Sequence, residues 1–122
     1  MTQQNTATLP PGVTHSRLDE MTRGWFVGGF QPTAYFTHDV EVAVQRFPAG
    51  YKGEAHYHRL ATEVTLLLQG RAVMADTVLL PGDILTLSPG VTSTFEALED
   101  CVTVVVKHPG VPNDKYSVRV GE

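Results

Sequence analysis

The fold of this chain is decided by the stretch from Gly50 to Gly70, GYKGEAHYHRLATEVTLLLQG. Side chains alternate between the two faces of a β-strand, so His56 and His58 would point to the same side of a strand. Residues 62–68 form a second predicted strand, and pairing the two strands would bring the Glu63 carboxylate towards the imidazoles. Two imidazole nitrogens and one carboxylate oxygen would make a three-point metal site with positions left open for water, oxygen or substrate.

The spacing within this stretch resembles the first sequence signature of the cupin superfamily. The matching positions are Gly50, five residues, His56-x-His58, four residues, Glu63, six residues and Gly70. The resemblance covers about residues 39 to 107 and implies an all-β fold. We therefore expect a small antiparallel double-sheet β-barrel of the cupin or jelly-roll type, with one metal ion held inside it.

The second cupin signature is matched only in part. Gly82, followed after five residues by Ser88-Pro89-Gly90, occupies its frame. Ser93 stands where most cupins have a third histidine, and Ala97 stands where an asparagine is usual. The resemblance thus implies a metal ion held by the three side chains of the first signature, with the Ser93 hydroxyl binding a water or a substrate oxygen.

Length and charge limit the classes of function. A chain of 122 residues is expected to form one domain. Nine basic against 13 acidic residues give a formal net charge of −4, and the basic residues are scattered singly, so no nucleic-acid or membrane-surface partner is expected. No apolar run approaches the roughly 20 residues of a membrane helix, and the N-terminal sequence lacks the apolar segment of a secretory signal. The sequence therefore predicts a cytoplasmic protein.

The chain divides into an N-terminal arm and a β-rich domain. Residues 1–22 are predicted to form an arm, partly flexible, with a short helical turn within 14–21, and residues 23–122 the cupin-like domain. Residues 25–27 are a short strand or a plug over one end of the fold. Short β-rich runs, separated by Pro, Gly and Ser, follow from residue 40 and are typical of a sandwich or closed barrel. The predicted strands are 40–47, 54–58, 63–68, 71–74, 77–80, 83–87, 92–95, 101–107 and 116–120.

Some of these runs are apolar on both faces, such as Leu66-Leu67-Leu68 and Val104-Val105-Val106. Strands of this kind are covered on both sides. A second subunit is one way to cover the outer face, and cupins commonly pair sheet to sheet. A homodimer is therefore expected from the resemblance.

The alternation also predicts a substrate pocket. If Glu63 points inward, Thr65, Leu67 and Gln69 do so too, which gives the apolar wall with a few polar groups that small-molecule sites require. Ser93 would face inward from the second signature, with Phe95 beside it. The predicted pocket residues are Gln45, Phe47, Thr65, Gln69, Ser93 and Phe95.

Three functions are compatible with this site. The first is an enzyme that acts on a small oxygenated substrate, either an oxygenase or a metal-assisted isomerase or lyase. Iron is the preferred ion for His56, His58 and Glu63, with manganese, nickel and zinc as alternatives, and Glu63 could instead be a general base if the ion leaves it free. The second function is non-catalytic binding of a sugar or an organic acid. The third is a structural role without metal or ligand.

Overall fold

The computed structural model describes residues 8–118, which form ten short β-strands and two 3₁₀ turns. No α-helix occurs within this range, so the predicted all-β class is confirmed. None of its helical turns is long and apolar enough to cross a membrane. The strands are β1 (Trp25–Val27), β2 (Glu41–Phe47), β3 (His56–Tyr57), β4 (Thr62–Gln69), β5 (Ala72–Met74), β6 (Thr77–Leu79), β7 (Ile84–Leu87), β8 (Phe95–Ala97), β9 (Cys101–His108) and β10 (Tyr116–Ser117), and the 3₁₀ turns span Leu18–Glu20 and Thr22–Gly24.

The strands are arranged in two antiparallel layers. The first is a five-stranded sheet of order β1-β2-β9-β4-β7. The second contains the three-stranded sheet β6-β5-β8 and the pair β10-β3. Two isolated bridges, Lys52 to Glu96 and His56 to Ser93, join these two parts. The two histidines predicted as metal ligands therefore lie in the layer opposite Glu63, which is on β4.

The apolar core fills one end of the space between the layers. On β4 and β9 the buried positions alternate with partly exposed ones, as expected for strands with one face turned inward. The inward face is apolar at one end of each strand, at Leu67 and Cys101, and polar at the other, at Glu63 and Lys107. The core residues are Leu67, Ala72, Met74, Leu79, Leu87, Ala97 and Cys101. These core residues leave a cavity between the layers at the polar end of β4 and β9.

Most strand predictions match the structure, but several boundaries differ. The predicted strand 92–95 is placed too early, since β8 spans Phe95–Ala97 and Ser93 makes only an isolated bridge. The helical turn predicted within 14–21 is limited to the 3₁₀ turn at Leu18–Glu20. Residues 25–27 form the edge strand β1. Residues 1–7 of the predicted arm and 119–120 of the predicted last strand lie outside the described residues.

Gln69 is the clearest correction to the predicted pocket. The register between β4 and β9 shifts between Leu67, which pairs with Thr103, and Gln69, which pairs with Val102. A bulge of this kind interrupts the alternation of side chains. Leu68 and Gln69 are consequently both exposed, and the prediction that Gln69 points inward is wrong.

The glycine that closes the first signature is required by the backbone. Gly70 has φ of +92°, a conformation that residues with a Cβ rarely adopt. A Cβ added there would lie 2.2 Å from the carbonyl oxygen of Asp100. Gly70 thus allows the chain to turn after β4 in close contact with Asp100, just before β9 begins.

Candidate metal centre

Three side chains converge where β3 faces β4. His56 lies on β3, His58 follows directly after it, and Glu63 lies on β4. One donor atom from each lies within 4.8 Å of the others, and Nε2 of His58 is 3.0 Å from Oε1 of Glu63. His58 and Glu63 are buried, whereas His56 is half-buried. The structure thus brings together the three residues predicted as metal ligands.

Backbone carbonyl groups determine which nitrogen of each imidazole faces the site. Nδ1 of His58 lies 2.5 Å from the backbone oxygen of Asp114, and Nδ1 of His56 lies 3.1 Å from that of Glu54. A carbonyl oxygen can only accept a hydrogen bond, so each Nδ1 must be the protonated, donating nitrogen. In the neutral rings Nε2 then presents a free lone pair. Such contacts are the usual way in which proteins orient metal-binding histidines.

The Glu63 carboxylate is held at both oxygens. Its Oε1 faces His58, and its Oε2 accepts a hydrogen bond of 2.8 Å from the Thr65 hydroxyl. Burial alone would raise the pKa of Glu63, but the contacts with His58 and Thr65, together with the positive charge that the two histidines can hold, lower it below its ordinary value. Glu63 is therefore an anion at neutral pH, as a carboxylate ligand must be.

Asp114 anchors the loop beside His58. Its buried carboxylate accepts hydrogen bonds of 3.0 Å from the backbone N–H groups of Arg59, Leu60 and Ala61. These residues connect β3 to β4, so Asp114 fixes the turn between the histidines and Glu63. This role could not be predicted from the sequence, because Asp114 lies 56 residues from His58 and no local pattern indicates the contact.

The second-signature segment supports the histidine strand through its backbone. His56 and Ser93 exchange two backbone hydrogen bonds of 2.9 and 2.8 Å, and the N–H of Gly90 donates to the carbonyl oxygen of His58. The Ser93 side chain is buried, as predicted, but it is not among the residues that line the cavity described below. A contact between the Ser93 hydroxyl and a substrate stays a prediction.

A cavity of about 530 Å³ opens beside the three candidate ligands. This volume lies within the range of typical small-molecule sites. Four of the six predicted pocket residues line it, namely Gln45, Phe47, Thr65 and Phe95, whereas Gln69 and Ser93 do not. Its aromatic wall is formed by Phe47, whose ring centroid is 4.8 Å from those of both Phe95 and Tyr51.

Charged residues on three neighbouring strands lie next to the candidate ligands. Lys107 on β9 is directly opposite Glu41 on β2 and Glu63 on β4. Its Nζ is 3.3 Å from Oε1 of Glu41 and 4.8 Å from the centre of the Trp25 ring. Lys107 and Glu41 therefore form a largely buried ion pair in the cavity wall. The place of Glu41 in this pair could not be predicted from the sequence, because it depends on the register of β2 and β9.

Comparison with solved structures identifies the fold. The chain is similar to an uncharacterized conserved protein with a double-stranded β-helix domain from Klebsiella pneumoniae, with 24% identity, a TM-score of 0.61, and coverage of 67% of this chain and 72% of that one. It is also similar to a chain from the crystal structures of the DMSP lyases RdDddP and RnDddQII, with 20% identity, a TM-score of 0.66, and coverage of 88% and 61%. Oxalate decarboxylase from Bacillus subtilis matches at 19% identity and a TM-score of 0.58, over 66% of this chain and 24% of the enzyme.

These similarities confirm the double-stranded β-helix fold that the resemblance to the cupin superfamily implies. No protein-family model and no curated protein matches the sequence. At identities below 25%, the similarities describe the double-stranded β-helix and not the reaction.

Proposed function

We propose that this cupin-fold protein is a mononuclear metalloenzyme that binds a divalent ion through His56, His58 and Glu63. Its substrate would be a small oxygenated organic molecule held in the adjoining cavity. The observation that supports this proposal most directly is the convergence of the three donor groups within 4.8 Å at the wall of that cavity. A cluster of two imidazoles and a carboxylate, largely withdrawn from water, is rarely maintained without a function.

The donor set fits a divalent transition-metal ion. Imidazole nitrogens and carboxylate oxygens are the donor groups that such ions bind in proteins. Nε2 of His58 and Oε1 of Glu63 are separated by 3.0 Å. Two histidines and one carboxylate with open positions are typical of non-haem iron sites, so iron is the preferred ion. Manganese, nickel and zinc accept the same donors and are the alternatives.

The surrounding residues favour Glu63 as a ligand rather than a general base. When bound, the ion would supply open coordination positions where oxygen is activated or a carbonyl group is polarised. Thr65 holds Oε2 of Glu63, which leaves Oε1 to face the ion. Lys107 forms an ion pair with Glu41, and its ammonium group can also orient a substrate oxygen. The aromatic wall around Phe47 would exclude water from the bound substrate.

Elemental analysis of protein purified without added metal tests the proposal. About one equivalent of metal is expected in the wild-type protein, on the basis of a single site. The variant His58→Ala should lose the metal and retain the fold, which circular dichroism would verify. His15→Ala is a matched control, since His15 is an exposed histidine outside the site. Equal metal content in His58→Ala and His15→Ala would contradict the proposal.

Non-catalytic binding of a sugar or an organic acid is the second candidate. It is favoured by one observation: Ser93 supplies no imidazole where most cupins have a third one. The two candidates differ in turnover. Oxygen uptake or product formation by the iron-loaded protein, lost in His58→Ala, supports the enzyme. Stoichiometric ligand binding by chelator-treated protein, without conversion of any ligand, supports the binding protein.

A further inference from the structure

The ion pair between Lys107 and Glu41 is not required by the strands that carry it. The next inward-facing pair on β9 and β2 is Val105 and Ala43, two buried apolar residues. Withdrawing two charges from water is costly, and apolar residues of similar volume often replace a buried ion pair without loss of stability. An ion pair kept in the wall of a cavity indicates a function for one of its members.

The ammonium group of Lys107 can take a further partner. Its Nζ is 3.3 Å from Oε1 of Glu41 and 4.8 Å from the centre of the Trp25 ring. An ammonium group carries three N–H donors, which one carboxylate oxygen and one aromatic ring do not exhaust. The Lys107 side chain lines the cavity and keeps 13% of its surface exposed. A molecule in the cavity can therefore reach it.

Lys107 is held apart from the candidate metal ligands. Glu41, Lys107 and Glu63 form one row across β2, β9 and β4. Neighbouring strands are about 4.8 Å apart, so the backbones of Glu41 and Glu63 are about 10 Å apart. The contacts of Nζ with Glu41 on β2 and Trp25 on β1 direct the ammonium group away from Glu63. A ligand that reaches both places has one group at the ion and a second group several ångströms away.

The charges of the cavity wall favour an anionic ligand. Its largely buried part carries two carboxylates, of Glu41 and Glu63, and the ammonium group of Lys107, a formal charge of −1 with neutral histidines. A divalent ion would bring this formal charge to +1. A buried charge without a counter-charge is costly, so a negative group on the ligand would be stabilised there. Water screens the exposed charged residues of the cavity lining, which are Arg23, Glu54 and Lys115.

We propose that Lys107 is a specificity-determining residue that binds a carboxylate of the substrate, while another oxygen group of the same molecule lies at the ion. The substrate would then be an organic acid. This inference rests on the proposed function, because the ion supplies the second anchor and the positive charge. Glu41 and Trp25 hold the Lys107 ammonium group in place, and it donates charge-assisted hydrogen bonds to the carboxylate. A carboxamide of the same shape is neutral and binds less tightly, so Lys107 distinguishes an acid from its amide.

Two probes that share a metal-binding group and differ at the other end test this inference. The first is the monohydroxamate of succinic acid, and the second is the same hydroxamate with a carboxamide in place of the carboxylate. Each is titrated by calorimetry into the zinc-loaded protein. The hydroxamate group binds zinc in both probes, so the ratio of the two affinities reports on the other end alone. The wild-type protein should bind the acid about 10-fold more tightly than the amide, as expected for a hydrogen bond between charged groups.

The double variant Glu41→Gln/Lys107→Met tests the contact without changing the total charge. Replacing Lys107 alone would leave the buried Glu41 carboxylate unpaired, so both residues are replaced together by neutral side chains of similar size. This variant should lose most of the preference for the acid. Lys115→Met is the matched control, because Lys115 is an exposed lysine of the same cavity lining. It removes one positive charge and should lower the preference by no more than about 2-fold.

The fluorescence of Trp25 is a second readout that needs no variant, and it decides the question if the double variant does not fold. Trp25 is the single tryptophan of the chain, and Lys107 lies over its ring. A carboxylate bound to Lys107 adds a negative charge beside the indole. At saturation, the acid should therefore change the Trp25 emission more than the amide does. Equal changes would overturn the role of Lys107.

The outcomes separate this inference from the proposed metal function. Equal affinities of the wild-type protein for the two probes, an unchanged preference in the double variant, a larger loss in Lys115→Met than in the double variant, or binding of neither probe would also overturn the role of Lys107. Weaker binding of both probes by His58→Ala, with the preference between them retained, is the result expected if both proposals hold. If removing zinc leaves both affinities unchanged while the double variant still loses the preference, the role of Lys107 stands and the metal function fails.

Discussion

Replacing Asp114 by asparagine tests how the turn between β3 and β4 is held. The buried carboxylate accepts one N–H at Oδ1, from Arg59, and two at Oδ2, from Leu60 and Ala61. An asparagine of the same size can keep the two hydrogen bonds from Leu60 and Ala61 at its single oxygen, but its NH₂ group then faces the N–H of Arg59. One hydrogen bond to a charged group is lost and a donor is left unpaired, so we expect the free energy of unfolding to fall by about 2 kcal/mol.

Urea unfolding of chelator-treated protein, followed by the fluorescence of Trp25, measures this change without interference from metal binding. Asp100→Asn is the matched control, because the exposed Asp100 carboxylate accepts a single backbone hydrogen bond, of 2.8 Å from Ala49. The control should cost no more than about 1 kcal/mol. Equal losses in the two variants would refute the reasoning that Asp114 holds the turn.

The difference in free energy of unfolding between the wild-type protein and Asp114→Asn should depend on pH in a defined direction. Burial alone would raise the pKa of Asp114, but the three N–H groups, with a contribution from His58, lower it below its ordinary value of 3.8. A carboxylate with a lowered pKa in the folded state contributes stability above its unfolded pKa and loses it as the pH falls through the folded value. The difference between wild type and Asp114→Asn should therefore be constant above about pH 4 and decrease below it. A difference that does not decrease in acid would contradict the pKa direction.

Two further predictions concern metal binding. Thr65→Val should weaken zinc affinity about 10-fold or more, measured by competition with a chromophoric chelator, because it frees Oε2 of Glu63; unchanged affinity would show that the hydroxyl does not orient the carboxylate. Burial lowers the pKa of His56, against the opposing effect of its hydrogen bond to Glu54, so proton competition at this ligand should begin only below its ordinary value of 6.5. Protonation of His56 should consequently have little effect on zinc affinity above about pH 7 and should weaken it in acid. A steep rise in zinc affinity above neutral pH would contradict a lowered pKa of His56.

The three candidate metal ligands could be predicted from the sequence because their geometry is mostly local. The alternation along one strand aligns His56 with His58, and only four residues separate His58 from Glu63. A connection this short keeps Glu63 near the histidines, although the prediction that their two strands pair is wrong, since β3 pairs with β10 and β4 with β7 and β9. Gln69, at the other end of β4, could not be predicted in the same way. Its orientation depends on a bulge that exists only in the pairing of β4 with β9.

The residues that surround the triad depend on contacts between distant parts of the chain. Lys107 meets Glu41 and Glu63 because β9 pairs with both β2 and β4, and these registers cannot be read from any one segment. The same registers place Thr103 opposite Gln45. A local pattern thus specifies which atoms would hold the metal, and long-range pairing specifies what lies around it. Substitutions at His58 should therefore change metal retention first.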